Sequence, residues 1–201
     1  SRQSGLIAFP KVLTESNTTH KSVPMLMSDA TACNYDSIYH QKGIITAFKE
    51  AGFRTAFFSN QRYNHSFIDF FGKEADTFDF IKEDSLDSAY NPSDDELLAL
   101  VAKELSKGNQ KQFIVLHTYG SHFNYRERYP SEDAFFLPDY PVEAEVKYRD
   151  NLVNAYDNTI RYTDSFLSRL IQMLEEQHVD AAMLYTSDHG EDIFDDSRHL
   201  F

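Results

Sequence analysis

Short continuous apolar runs alternate along the chain with longer segments in which apolar residues recur at helical spacing. Two such runs, at residues 53–58 and 112–117, each end in polar residues. Continuous apolar runs of this length are typical of parallel strands that are buried on both faces. Further apolar segments at 6–13, 78–81 and 181–185 predict three more strands.

The segments between these runs carry helix signals. Helices are predicted at 43–51, 65–71, 94–107 and 143–177. Another helix should begin within 19–23, because Pro24 is tolerated only in a first turn. Alternating strands and helices predict an α/β sandwich with a mainly parallel central sheet.

Polar side chains suited to metal or phosphate binding lie next to three of the predicted elements. They are Thr18 and Thr19 before the first helix, His117 and His122 after a strand, and Asp188 and His189 after the last apolar run. Each cluster alone has an ordinary explanation as a helix cap, an exposed imidazole or a turn. However, Asp and His are zinc ligands, and α/β sheets usually place chemistry at the carboxyl ends of strands. The coincidence of three clusters therefore favours a metal or phosphate site.

Composition narrows the class of protein. The 201 residues are enough for one buried domain, and the formal charge of −13 argues against nucleic acid as a partner. The same charge disfavours direct docking of this chain on anionic lipid. The single cysteine, Cys33, excludes an internal disulfide. No apolar run approaches ~20 residues, the length of a membrane span.

Four motifs occur in order over nearly the whole chain. They are Thr-His-Lys-Ser-Val-Pro at 19–24, Gly-Ser-His at 120–122 with Arg-Tyr-Pro at 128–130, Tyr-Asp-Asn-Thr-Ile-Arg-Tyr-Thr-Asp at 156–164, and Ser-Asp-His-Gly-Glu at 187–191. Together they resemble the catalytic domain of the phosphoethanolamine transferases, in the alkaline phosphatase and sulfatase superfamily. The resemblance implies a three-layer α/β/α sandwich, with residues 1–201 forming a single, partial catalytic domain.

The resemblance also implies zinc-dependent transfer of phosphoethanolamine from phosphatidylethanolamine to an envelope glycan or lipid A. Thr19 matches the family's nucleophile, which forms a phospho-threonine intermediate. Asp188 and His189 match the family's metal ligands. His122 and His117 match histidines that would contact the transferring phosphate or a second zinc ion. One or two zinc ions are expected, rather than manganese.

Some family features have no match in the sequence. The family's metal-binding Glu lies in a Val-Gly-Glu-Thr-like motif at the end of its first strand, after a transmembrane anchor, and neither is found here. Both are expected upstream of Ser1. His199 stands near the spacing of the family's last metal-binding His, although a better-placed His could follow Phe201. We therefore expect a recognisable zinc site that is incomplete in ligands.

The resemblance further implies a location and a state of assembly. The full-length protein is expected in a bacterial inner membrane, with the catalytic domain facing the periplasm. The upstream anchor would attach the protein to the membrane. The 201-residue chain itself is expected to be monomeric.

Three alternatives remain open. A sulfatase-like hydrolase would need a Cys/Ser-x-Pro-x-Arg motif, which is not found here. A phosphoglycerol transferase also uses a Thr nucleophile with zinc or manganese, and only the 124–141 loop and the Ser-Val-Pro motif favour phosphoethanolamine over it. A relative that binds an envelope glycan without turnover is disfavoured because Thr19, His122, Asp188 and His189 occur together.

Overall fold

The computed structural model describes residues 5–63, 65–81, 92–108 and 111–196. Its centre is a parallel sheet of three strands, β1 (Arg54–Ser59), β2 (Thr77–Phe80) and β3 (Gln112–His117). The strand order is β2-β1-β3, and the last residue of β1 lies opposite the last residues of both neighbours. The carboxyl ends of all three strands therefore meet at one edge of the sheet.

Five α-helices occur in the described residues. They are α1 (Thr19–Leu26), α2 (Ile44–Glu50), α3 (Phe67–Gly72), α4 (Glu96–Leu105) and α5 (Arg149–Glu176). Short 3-10 helices lie at Tyr35–Tyr39, Tyr125–Glu127, Ser131–Asp133 and Val146–Tyr148. Within these ranges, none of the helices combines the length and apolar character needed to cross a membrane.

Alternate side chains of the strands point to opposite faces of the sheet, and each face packs against different helices. Phe57 belongs to a core cluster with residues of α1, α2 and α3. Its neighbours Ala56 and Phe58 belong to a second cluster with residues of α4 and α5. Helices thus cover both faces, as a parallel sheet requires. The predicted three-layer α/β/α sandwich with a parallel central sheet is confirmed.

Helix α1 begins at Thr19, within the predicted range, although Pro24 lies beyond its first turn. Proline lacks the N–H that would bond the carbonyl of His20, four residues earlier. The hydroxyl of Tyr35 donates to that carbonyl instead, at 3.2 Å. A tertiary contact therefore replaces the missing helical hydrogen bond, and the helix continues to Leu26.

Two predicted strands are wrong. The segments 6–13 and 181–185 do not pair with the sheet in the described residues. Apolar side chains in both segments are exposed, to 94% for Leu13 and 85% for Leu184. An apolar run becomes a strand only where a neighbouring strand offers its backbone groups. The outer edges of β2 and β3 stay unpaired in the described residues, and neither segment reaches them.

Helices α2 to α5 all start later than predicted, α2 by one residue and α3 by two. Helix α4 begins at Glu96, because the two residues before it form a turn in which Ser93 Oγ accepts a hydrogen bond from the N–H of Asp95 at 3.2 Å. Asp94 therefore lies outside the helix. Helix α5 begins at Arg149, after a 3-10 turn, rather than at residue 143.

The long loop before α5 is fastened to that helix through the buried side chain of Asn158. Its Oδ1 accepts hydrogen bonds from the N–H groups of Phe135 and Phe136, both at 2.9 Å. Its Nδ2 donates to the hydroxyl of Tyr129 at 3.2 Å, and that hydroxyl donates to Asp139 at 2.8 Å. This single amide therefore ties the loop to the motif on α5.

Candidate active site

The first residue of α1 faces the imidazole of the Asp-His motif. Thr19 Oγ1 lies 3.3 Å from His189 Nε2. The other ring nitrogen, Nδ1, lies 2.8 Å from the carbonyl oxygen of Gly190. A carbonyl only accepts, so Nδ1 must carry the proton in the neutral ring. The lone pair of His189 is therefore on Nε2, directed at the Thr19 hydroxyl.

Asp188 is held beside this pair by two hydroxyl groups. Ser22 Oγ donates to Asp188 Oδ2 at 3.1 Å, and Thr14 Oγ1 donates to the Asp188 carbonyl at 2.7 Å. Asp188 Oδ2 lies 3.7 Å from His189 Nε2, the ring nitrogen that faces the Thr19 hydroxyl. The structure thus brings together Thr19, Asp188 and His189, and their roles stay predictions.

Ser22 is a site residue that the sequence reasoning missed. Its side chain is 2% exposed, and it also lies 2.9 Å from the carbonyl of Thr18 in the preceding helical turn. Its position three residues after Thr19, inside the Thr-His-Lys-Ser-Val-Pro motif, was the available signal. One turn of helix places both hydroxyls on the same face.

His117 ends β3 and contacts β1. Its Nδ1 lies 3.1 Å from Ser59 Oγ, on the last residue of the neighbouring strand. Burial lowers the pKa of His117 below its ordinary value of 6.5, and the negative charges of Asp188, Asp94 and Asp69 oppose that shift. His117 is therefore a neutral imidazole at pH 7, able to accept at one nitrogen and donate at the other.

The contacts of His122 do not place it at this cluster. His122 is exposed, contacts the Phe123 carbonyl through Nδ1, and meets the Tyr119 ring edge-on with ring centroids 5.3 Å apart. Among the described residues, no hydrogen bond or salt bridge joins His122 to Thr19. His199 lies outside the described residues.

The cluster has the donor types of a zinc site but few of them. Carboxylate oxygen and imidazole nitrogen are both common zinc ligands, and a catalytic zinc ion usually takes three protein ligands and keeps one position open. Across the described ranges, no group of three or more His, Cys, Asp or Glu side chains could hold a metal ion. Asp188 and His189 therefore fit zinc in kind.

Comparison with known proteins places this chain in a family. The sulfatase family model matches residues 1–200. Phosphoethanolamine transferase EptC of Escherichia coli strain K12 is 25% identical over 96% of this chain, which spans only 34% of that relative. The chain thus covers about a third of the length of this curated relative.

Two solved structures share the fold. The zinc complex of the C-terminal periplasmic domain of EcEptC from Escherichia coli superposes with a TM-score of 0.82 at 23% identity, over 94% of this chain and 54% of that one. The integral membrane protein lipooligosaccharide phosphoethanolamine transferase A of Neisseria meningitidis gives a TM-score of 0.69 at 27% identity, over 84% of this chain and 32% of that one. With a family model matched along almost its full length, the chain belongs to the sulfatase family, and its similarity to the phosphoethanolamine transferases is confirmed.

Proposed function

We propose that the protein containing this chain transfers phosphoethanolamine from phosphatidylethanolamine to an envelope glycan or lipid A, with Thr19 as the nucleophile. The observation that carries the proposal is the 3.3 Å approach of Thr19 Oγ1 to His189 Nε2, with the Asp188 carboxylate beside it. Relatives named as phosphoethanolamine transferases support the chemical class. A periplasmic domain and an integral membrane protein among the relatives support a periplasmic site anchored in the inner membrane.

The residues suggest how the transfer proceeds. Zinc bound by Asp188 and His189 would lower the pKa of the Thr19 hydroxyl and neutralise charge on the phosphate. The Thr19 oxygen forms a bond to phosphorus while the bond from phosphorus to the diacylglycerol oxygen breaks, and diacylglycerol leaves with a proton. The acceptor hydroxyl then attacks the phospho-threonine and releases Thr19.

The position of Thr19 suits this chemistry for a second reason. It is the first residue of α1, so its oxygen lies at the end of the helix where backbone N–H groups have no helical partner. The helix dipole favours negative charge at that end. An alkoxide or a phosphoryl group on Thr19 is therefore better tolerated than at a position inside the helix.

Donor choice is the direct test. The full-length protein, supplied with zinc, should release diacylglycerol from phosphatidylethanolamine at least about ten times faster than from phosphatidylglycerol. A tenfold ratio corresponds to ~1.4 kcal/mol of discrimination between the two donors. Released diacylglycerol is measured by mass spectrometry, with a zinc-chelated sample as the control. Faster release from phosphatidylglycerol would make the protein a phosphoglycerol transferase. Glycan binding without release from either lipid would support the non-catalytic alternative.

Zinc binding by the 201-residue chain alone should be weak. Asp188 and His189 are the only matched ligands within the described residues, and the sequence contains no Val-Gly-Glu-Thr-like motif. We expect well under one zinc ion per chain after dialysis, measured by elemental analysis, and less again in Asp188→Asn. Tight stoichiometric zinc in the unmodified chain would contradict this expectation and point to ligands beyond Asp188 and His189.

A further inference from the structure

The carboxylate of Asp94 holds the turn that follows β3. Its Oδ1 accepts a hydrogen bond from the N–H of Tyr119 at 2.8 Å, and its Oδ2 accepts one from the N–H of Gly120 at 2.9 Å. Asn60 Nδ2, next to the end of β1, donates to the same Oδ1 at 2.8 Å. A side chain from the turn before α4 thus fixes the backbone that follows β3.

A cation holds the same turn from its other end. Arg128 Nε donates to the carbonyl of His122 at 3.1 Å, and the Arg128 guanidinium carbon lies 3.8 Å from the centre of the Tyr119 ring. The side chain of Arg128 is 7% exposed. The carboxylate therefore meets backbone N–H groups and the guanidinium meets a backbone carbonyl, so each charge matches the dipole that it contacts.

The turn depends on these side chains because secondary structure does not hold it. In the described residues, no backbone-to-backbone hydrogen bond involves residues 118–123. Gly120 has a φ of 57°, a left-handed conformation that favours glycine. Its N–H and that of Tyr119 are paired through Asp94. Without that carboxylate, the two N–H groups would have to turn toward other acceptors.

We propose that Asp94 is a positioning residue for phosphoryl transfer, which holds the 118–122 turn so that His117 and His122 keep a fixed separation and orientation. The proposal rests on the proposed function, because it concerns the same reaction. Phosphoryl transfer depends almost entirely on positioning and charge, and a displacement of about 1 Å can cost a factor of ~100. A carboxylate with two oxygens suits two converging N–H groups, whereas an amide would direct its own NH₂ at one of them.

The matched experiment compares Asp94→Asn with Asp95→Asn in the zinc-supplemented full-length protein. Asp95 follows Asp94 in the turn before α4, but its side chain faces α5. There it accepts a hydrogen bond from the Tyr162 hydroxyl at 2.7 Å and pairs with Arg169 at 2.5 Å. Both variants lose one negative charge. Asp94 accepts three hydrogen bonds, and Asp95 accepts one hydrogen bond and forms one ion pair. We expect kcat per folded molecule to fall by roughly 10- to 100-fold in Asp94→Asn with KM within about 3-fold, and to stay within about 2-fold in Asp95→Asn.

Two further readouts separate positioning from stability. Hydrogen exchange of the amides in 118–122 should accelerate in Asp94→Asn and not in Asp95→Asn, while urea unfolding gives the folded fraction of each. Equal kcat in the two variants, or unchanged exchange, would overturn the proposal. If Asp94→Asn does not fold, Arg128→Lys decides: it loses the planar contact with Tyr119, and an unchanged kcat would overturn the proposal equally. Activity retained in Thr19→Ala would instead overturn the proposed function.

Discussion

Replacing Thr19 with alanine is expected to abolish transfer while leaving the fold intact. The covalent route needs an oxygen at this position, and removing a nucleophile from a covalent enzyme lowers kcat by on the order of 10⁴-fold or more. The Thr19 side chain is only partly buried and makes its side-chain contact with His189. We therefore expect the midpoint of urea unfolding to stay close to that of the unmodified protein.

Two neighbouring variants sharpen this test. Thr18→Ala removes a hydroxyl that makes no capping hydrogen bond to α1, so its activity should remain within a few-fold of the unmodified protein. Thr19→Ser keeps the oxygen and should retain measurable transfer. Activity is followed as diacylglycerol release, and phosphoethanolamine on Thr19 is sought by mass spectrometry of acid-quenched protein. Thr19→Ala activity within tenfold of the unmodified level would exclude Thr19 as the nucleophile.

The coincidence of three polar clusters favoured a metal or phosphate site, and the family resemblance assigned Thr19, Asp188 and His189 to it. Thr19 and His189 lie 170 positions apart, in two separate motifs, and the structure brings them together. The tautomer of His189 could not be predicted, because it depends on the path of the backbone at Gly190. His117 was placed correctly on β3, since a strongly apolar run ends there.

The two wrong strands show what an apolar pattern leaves open. The pattern predicts that a segment can be buried, but a strand also needs a partner whose backbone lies at the correct distance and register. The segments 6–13 and 181–185 have no such partner in the described residues, and their side chains, such as Leu13 and Leu184, stay exposed. Periodicity carries no information about that partner.

Ser22 and Asp94 were missed for a different reason. Serine in a helix and aspartate before one are both explained by local helix rules, so nothing in the pattern singles them out. Their contacts join positions far apart in sequence: Ser22 reaches Asp188, and Asp94 reaches Tyr119 and Gly120. Only the packed fold shows that these side chains support the site.

The double variant Arg54→Met with Lys107→Met is expected to destabilise the fold by about 3–5 kcal/mol, the range for a buried charge that loses its partners. The Glu104 side chain is 2% exposed, and its two oxygens pair with Arg54 Nε at 2.6 Å and Lys107 Nζ at 2.5 Å. The Arg54 pair fixes α4 to β1, the Lys107 pair lies at the carboxyl end of α4 itself, and α4 begins two residues after Asp94. The site-bearing turn is therefore held through a helix that is itself held by this ion cluster.

Replacing the two cations should lower the free energy of unfolding more than replacing the Glu104 carboxylate. The Arg54 and Lys107 side chains are 32% and 31% exposed, so water can solvate them when Glu104 is replaced. The buried carboxylate has no such access. Adding Glu104→Gln to the double variant should thus restore part of the lost stability, because an amide carries no charge to desolvate. Replacing Lys42 in its exposed pair with Glu50 is the matched control and should leave the unfolding midpoint unchanged within error.

The pH dependence of the free energy of unfolding tests the role of Glu104 independently. Burial raises the pKa of Glu104, but the hydrogen bonds and charges of Lys107 and Arg54 outweigh it and hold the pKa below its ordinary value of 4.5. In the unmodified protein this stabilisation is present above pH ~4.5 and is lost as the pH falls through the depressed pKa. Without the cations, burial alone raises the pKa, so the double variant should become more stable as the pH falls from 7 toward 4.5. Urea unfolding at pH 7 and pH 5 measures both effects, and a double variant whose stability falls between these pH values would show that Glu104 keeps another cationic partner or reaches water.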